Sequence, residues 1–165
     1  MANFEKPYSF NIVLNSYLAS PPLDLTNNNN KTYSFNWSNI PQGKYEMTWS
    51  YRGTKQITAT GDDSPQVFLT FGSNGTSYLA GGNNTNSSVT NYIGNLQTNT
   101  HINADLYFYT SQYDNCPIFF ENIPTDNMIR VQMFDFDFIT PYLSTAVGNE
   151  PLSSYVMTLH FEKKR

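Results

Sequence analysis

At 165 residues the chain fits one domain, and folding at that length buries roughly 70% of the surface an unfolded chain exposes, so a core forms without staples. Charged residues make up 13%, against about a quarter in ordinary domains, while aromatic residues reach 16% and Asn, Ser and Thr are abundant. The formal net charge of −4 provides no basic footprint for nucleic acid or an anionic membrane, so direct genome binding is not expected.

The opening MANFEKPYSF lacks the apolar stretch of a secretory leader, and Ala2 in place of Gly removes N-myristoylation. No apolar run approaches the roughly 18 residues of a membrane helix. Residues 1–8 read as a short N-terminal arm. With Cys116 as the single cysteine, neither an intrachain disulfide nor a Cys-based zinc site can form, and a soluble protein folding in a reducing compartment is expected.

No long segment shows helical periodicity; short runs of strand type recur instead. The first is 10–14 (FNIVL). In 32–37, Tyr33, Phe35 and Trp37 fall on one face of an extended chain, and Ser34, Asn36 and Ser38 on the other. Run 44–51 repeats the pattern, with Tyr45, Met47, Trp49 and Tyr51 opposite Lys44, Glu46, Thr48, Ser50 and Arg52. Between them, Ile40-Pro41-Gln42-Gly43 suits a type I turn, because Pro41 presets φ at its second position and Gly43 fits its last. The two runs therefore predict a hairpin carrying one continuous face of six rings. Such a face would be an aggregation hazard if exposed, so it is expected to point inward.

Further strands are predicted at 55–60, 66–71, 90–96, 105–111, 117–121, 127–135 and 153–162. Within 129–138 the parity switches from Ile129, Val131 and Met133 to Phe134, Phe136 and Phe138. Either a bulge sits near Met133, or the strand ends near Asp135 and the next rings cover a different surface. The last strand alternates most regularly, with Tyr155, Met157, Leu159 and Phe161 on one face, and leads to a basic end at 163–165 that reads as solvated. Polar separators lie at 20–31, 72–89 and 136–152, and loops this long tend to be functional or held by a partner. About eight to ten strands without a helix predict an all-β sandwich, jelly roll or barrel.

Few residue patterns support chemistry. Asp135 and Asp137 sit two apart, as paired carboxylates for a metal or for acid–base work would, but no third ligand follows and a solvated face or turn is the simpler reading. His101 and His160 lack zinc-site spacing, and Cys116 before Pro117 reads as a small buried hydrophobe. The glycine pair Gly81-Gly82 precedes no helix and cradles no phosphate. Five N-x-[ST] sequons, from Asn30 to Asn86, are no more than this composition produces by chance. The strongest functional rival is sugar binding through the loop tyrosines Tyr78, Tyr113 and Tyr142.

A more specific pattern runs through most of the chain. NIVLNS is followed by an Asn/Thr-rich gap and TYSFNWSNIPQGKYEMTWSYRG, later by NCPIFFENIPTDNMIRVQMFD, and the chain closes on SSYVMTLHFEKK. This order resembles the single jelly-roll capsid proteins, pentons and minor capsid proteins, of large and mid-sized eukaryotic DNA viruses, including virophages and polinton-like viruses. Two departures are Cys116, where a Pro or small residue is expected, and a long 136–152 segment. The resemblance implies a single jelly-roll domain over 1–165, with about eight antiparallel strands in two sheets and long polar loops. It implies a non-enzymatic capsid subunit without catalytic residues, cofactor or metal. The expected partners are copies of itself, as in a pentamer, and other capsid proteins including a major capsid protein, with no direct nucleic acid contact and no membrane insertion. The expected location is the virion, assembled inside the host cell rather than secreted. The alternative is a carbohydrate-binding β-sandwich such as a viral receptor-binding or fibre-head domain.

Overall fold

The structure, a computed structural model, describes residues 8–19, 29–57, 66–70, 76–80, 86–90, 92–103, 106–111, 117–134 and 149–165. These residues form an all-β sandwich, as the run of short alternating segments predicts. The strands are β1 (Ser9–Asn15), β2 (Asn30–Ser34), β3 (Tyr45–Ile57), β4 (Gln66–Thr70), β5 (Thr76–Ala80), β6 (Asn86–Thr90), β7 (Tyr92–Asn103), β8 (Leu106–Ser111), β9 (Ile118–Phe120), β10 (Met128–Phe134) and β11 (Asn149–Lys163). Eight of them make two four-stranded antiparallel sheets, β1-β11-β3-β8 and β7-β4-β10-β2. Short β9 adds to the end of β3, and β5 and β6 form a separate hairpin.

β7 joins the two sheets. Its first residues pair with β4, from Tyr92 opposite Phe68 to Asn95 opposite Gln66, and from Leu96 onward it pairs with β8. The register slips between Val67 and Phe68, opposite Gly94, whose φ of +143° is one that side chains rarely adopt. The hydrogen-bonded path is thereby continuous from β1 at one end to β2 at the other. Among the eight strands, the first pairs with the last, the second with the seventh, the third with the sixth and the fourth with the fifth. That nesting is what a long antiparallel hairpin produces when it is wrapped on itself.

In β1, β2, β3, β4, β10 and β11, alternation puts one side of the strand into the space between the sheets. β1 contributes Ile12 and Leu14, β3 contributes Tyr45, Met47, Trp49 and Tyr51, and β11 contributes Tyr155, Met157, Leu159 and Phe161, all buried. From the other sheet come Tyr33, Val67, Leu69, Ile129, Val131 and Met133, and Leu96 joins them where β7 passes from one sheet to the other. Each large side chain so buried contributes about 1.5 to 3 kcal/mol relative to exposure.

The predicted hairpin of 33–37 with 45–51 does not form. β2 pairs with β10, and β3 pairs with β11, β8 and β9, so the two aromatic runs sit in different sheets. The turn chemistry at Pro41 and Gly43 is local, whereas the pairing is decided by a strand almost a hundred residues downstream. Trp37 leaves the strand altogether. The Asn36 side chain accepts a hydrogen bond from the Ser38 N–H at 2.9 Å, starting a 3₁₀ turn over Trp37–Asn39 that ends β2.

The separately predicted runs 44–51 and 55–60 merge into the single strand β3. Gly53 does not break it, because the aromatic neighbours Tyr51 and Tyr155 fill the space where a side chain would stand. Part of the 72–89 segment, read as a loop, pairs as β5 and β6 with Thr76 opposite Thr90. β10 is described as far as Phe134, and its register with β4 runs without a slip through Met133, so no bulge sits there; Asp135, Phe136 and Phe138 lie outside the described residues.

Candidate functional site

The six rings of residues 33–51 decide first whether a stacking surface exists. Tyr33, Trp37, Tyr45, Trp49 and Tyr51 are buried, and half-buried Phe35 packs against them. Phe161 of β11 is their hub: it stacks parallel to Phe10 at 4.9 Å between centroids and meets Trp37 edge-on at 5.8 Å and Tyr45 at 6.4 Å. Three of the polar ends are turned to partners inside the protein. Trp37 Nε1 donates to the Asp126 carbonyl at 2.9 Å, Trp49 Nε1 to the Ile93 carbonyl at 3.1 Å, and the Tyr45 hydroxyl to the Pro41 carbonyl at 2.7 Å. These rings are therefore core, as parity predicts, and the Trp49 bond ties β3 to β7 across the sandwich.

A polar knot lies beneath the rings. The Tyr33 hydroxyl of β2 donates to that of Tyr155 on β11 at 3.1 Å, and Tyr155 stacks on Tyr51 at 5.2 Å. Burial pushes the Tyr33 hydroxyl up to about 12, with the bond to Tyr155 pulling the other way, and pushes Tyr155 well above the ordinary tyrosine value. The Tyr155 N–H donates to the buried Ser16 hydroxyl at 3.0 Å.

Lys31 shares the inward face of β2 with Tyr33 and is only 1% exposed. A buried ammonium is costly unless its surroundings engage it, and Lys31 is engaged there. Sequence reading passed over this lysine, although its parity with Tyr33 and Phe35 was the available signal.

A second aromatic cluster occupies the opposite face of β4. Phe134 lies on the face away from Ile129, Val131 and Met133, and meets Phe68 edge-on at 4.9 Å. Phe68 in turn contacts Tyr92 at 5.5 Å, and the Tyr92 hydroxyl donates to Gln66 Oε1 at 2.9 Å. β4 is consequently buried on both faces through Leu69.

The outer face of β2, β10 and β4 carries an open depression of about 370 Å³ lined by Asn30, Thr32, Thr70, Asp126, Met128 and Arg130. Register explains it: Arg130 lies opposite Thr32 on one side and Thr70 on the other, so one row crosses three strands. Arg130 Nε donates to Asn30 Oδ1 at 3.0 Å, and Asp126 Oδ1 accepts the Met128 N–H at 2.9 Å. The groove offers guanidinium donors, a carboxylate, hydroxyls and one exposed thioether, a set suited to polar recognition.

The remaining sequence candidates do not converge. His160 is exposed on β11, with Nδ1 2.7 Å from Asn11 Oδ1. Its backbone faces Thr48, whereas His101 is registered through Tyr107 to Lys55, which at about 3.3 Å per residue separates the two levels along β3 by roughly 20 Å. Tyr78 falls on β5, and Asp135, Asp137, Cys116, Tyr113 and Tyr142 lie outside the described residues, as do Gly81 and Gly82. Among the described residues no three His, Cys, Asp or Glu side chains are grouped to hold a metal, and no helix is long and apolar enough to cross a membrane. The basic end is not free: Lys164 Nζ lies 2.8 Å from Glu46 and 3.4 Å from Glu162, which raises its pKa, led by the hydrogen bond to Glu46. No protein-family model matches the chain, and no curated protein matches it in sequence.

Proposed function

We propose that the chain is a non-enzymatic structural subunit of an icosahedral viral capsid, a penton or minor capsid protein built as a single jelly roll. The observation that carries this reading is the nested strand order, first with last and second with seventh, which is the pairing of a rolled-up eight-stranded hairpin. The order of sequence motifs points the same way. So does the inward orientation of the six rings at 33–51, which leaves none of them as a stacking platform. A low-charge chain with long polar separators suits extended contacts between subunits, and obligate contacts of that kind often bury about 2,000 Å² or more in total. Its partners would be copies of itself and a major capsid protein, and its location the virion.

One observation favours a second reading, a carbohydrate-binding sandwich: the groove with Arg130, Asp126 and Asn30 on the outer sheet face. Jelly rolls serve in lectins as well as in capsids. Reconstruction of particles from cells that produce this chain separates the two. Density for the sandwich at five-fold vertices or between capsomers is the expected result. Absence from particles, together with glycan-array binding that Arg130→Ala abolishes, would replace the capsid reading with the lectin one.

A further inference from the structure

β1 ends the hydrogen-bonded path, and among the described residues its one strand neighbour is β11. The Lys163 N–H donates to the Tyr8 carbonyl at 2.8 Å, and the same ladder sets Phe10 opposite Phe161, Ile12 opposite Leu159 and Leu14 opposite Met157. In an antiparallel pair these alternate residues exchange backbone bonds with the neighbour. The N–H and C=O groups of Ser9, Asn11 and Val13 therefore point away from β11, toward the open side.

Edge strands are ordinarily blunted by charge, proline, a bulge or shortness. β1 uses none of these: its seven residues, SFNIVLN, hold no charge and no proline, and its register with β11 runs without a slip. Apolar side chains are also left out beside it. Val13 and Tyr17 are each 60% exposed and Leu18 81%, and Tyr8 at the other end of the strand is exposed as well.

We propose that β1 is a self-association strand, pairing antiparallel with β1 of a second copy of this chain about a two-fold axis at Ile12. That register sets Asn11 opposite the partner's Val13 and Ser9 opposite the partner's Asn15, so the outward-pointing backbone groups of both strands are paired. It also brings Tyr8 beside the partner's Tyr17 and Leu18. The exposed apolar residues at the two ends of β1 thus cover each other, which an antiparallel second copy accomplishes by symmetry. Because the strand is uncharged, like meets like without repulsion. The two β1-β11-β3-β8 sheets become one continuous sheet. This inference does not rest on the capsid reading, since it needs only the edge and its flanking residues.

The test is sedimentation of the full chain across a concentration series, with hydrogen exchange read at the amides of Asn11 and Val13. Wild type is expected to reach the dimer mass with both amides slow to exchange. Val13→Lys, an outward substitution that places charge on the shared edge, is expected to give a monomer with a wild-type far-UV spectrum and fast exchange at Asn11. Val13→Pro removes an edge N–H that β11 does not use, and is expected to do the same. A wild type that is monomeric at every concentration would overturn the proposal. So would an assembly, of any size, that survives Val13→Lys with both amides exchanging fast.

Discussion

Trp49 shows what a buried ring contributes in this core. It is 5% exposed, and its indole N–H is held by the Ile93 carbonyl of the facing sheet. Trp49→Ala leaves a cavity and an unpaired carbonyl, and is expected to cost about 3 to 5 kcal/mol in urea denaturation. An unchanged midpoint would mean the ring is not core. The Tyr33–Tyr155 pair has a different signature, in pH. Both hydroxyls titrate higher folded than unfolded, so the folded state holds protons that the unfolded chain releases. The pair's contribution to stability is therefore level below pH 10, the ordinary tyrosine value, and falls as pH rises through the folded value of about 12 for Tyr33. Denaturation midpoints between pH 8 and 12 should show that decline, and Tyr33→Phe should flatten part of it. Parity alone places Trp49 and Tyr33 inside. The Tyr33–Tyr155 bond was not readable, because 122 positions separate its partners.

At the scale of elements, existence was more legible than extent or partner. Strand β1, strand β4 and the alternating part of β11 fall where alternation predicts them, since a half-buried strand needs one apolar face whatever lies beyond it. β3 is longer than predicted because Gly53 sits inside it rather than at its end. A Cβ there would lie 2.7 Å from the Tyr51 hydroxyl and 2.9 Å from Tyr155 Cβ, so the strand passes only if residue 53 has no side chain. Gly53→Ala is expected to lower stability by about 1 to 3 kcal/mol through overpacking, despite the higher strand propensity of alanine, and thermal denaturation reads this directly. A neutral result would show that the Tyr51 and Tyr155 rings have room to move. The mistaken hairpin has the converse cause. A turn signal specifies a bend of a few residues, and the choice between a neighbour in the same sheet and a crossover to the facing one depends on β10 and β11, which supply the competing partners.

Over the whole molecule, the two tryptophans report on one core reached from different elements. Trp37 sits on the connection after β2 and touches Phe161, and Trp49 lies within β3 beside β11. Tryptophan fluorescence and far-UV dichroism are accordingly expected to follow a single coincident unfolding transition; separated transitions would divide the sandwich into independent units. The candidate surfaces were less legible than the core. Lys31 could be placed by parity, but the Thr32-Arg130-Thr70 row of the outer groove joins three strands whose alignment no local pattern encodes. By itself the sequence determined the all-β class, the inward faces of β2, β3, β10 and the regular part of β11, and the burial of its aromatic stretch, because alternation acts over a few residues. Tertiary structure alone decided which strands pair, that the aromatic runs face each other from separate sheets, and that uncharged β1 has β11 as its one strand neighbour among the described residues. Those outcomes depend on pairing between distant segments, where the free energy of burying two faces together outweighs the preference of any single turn.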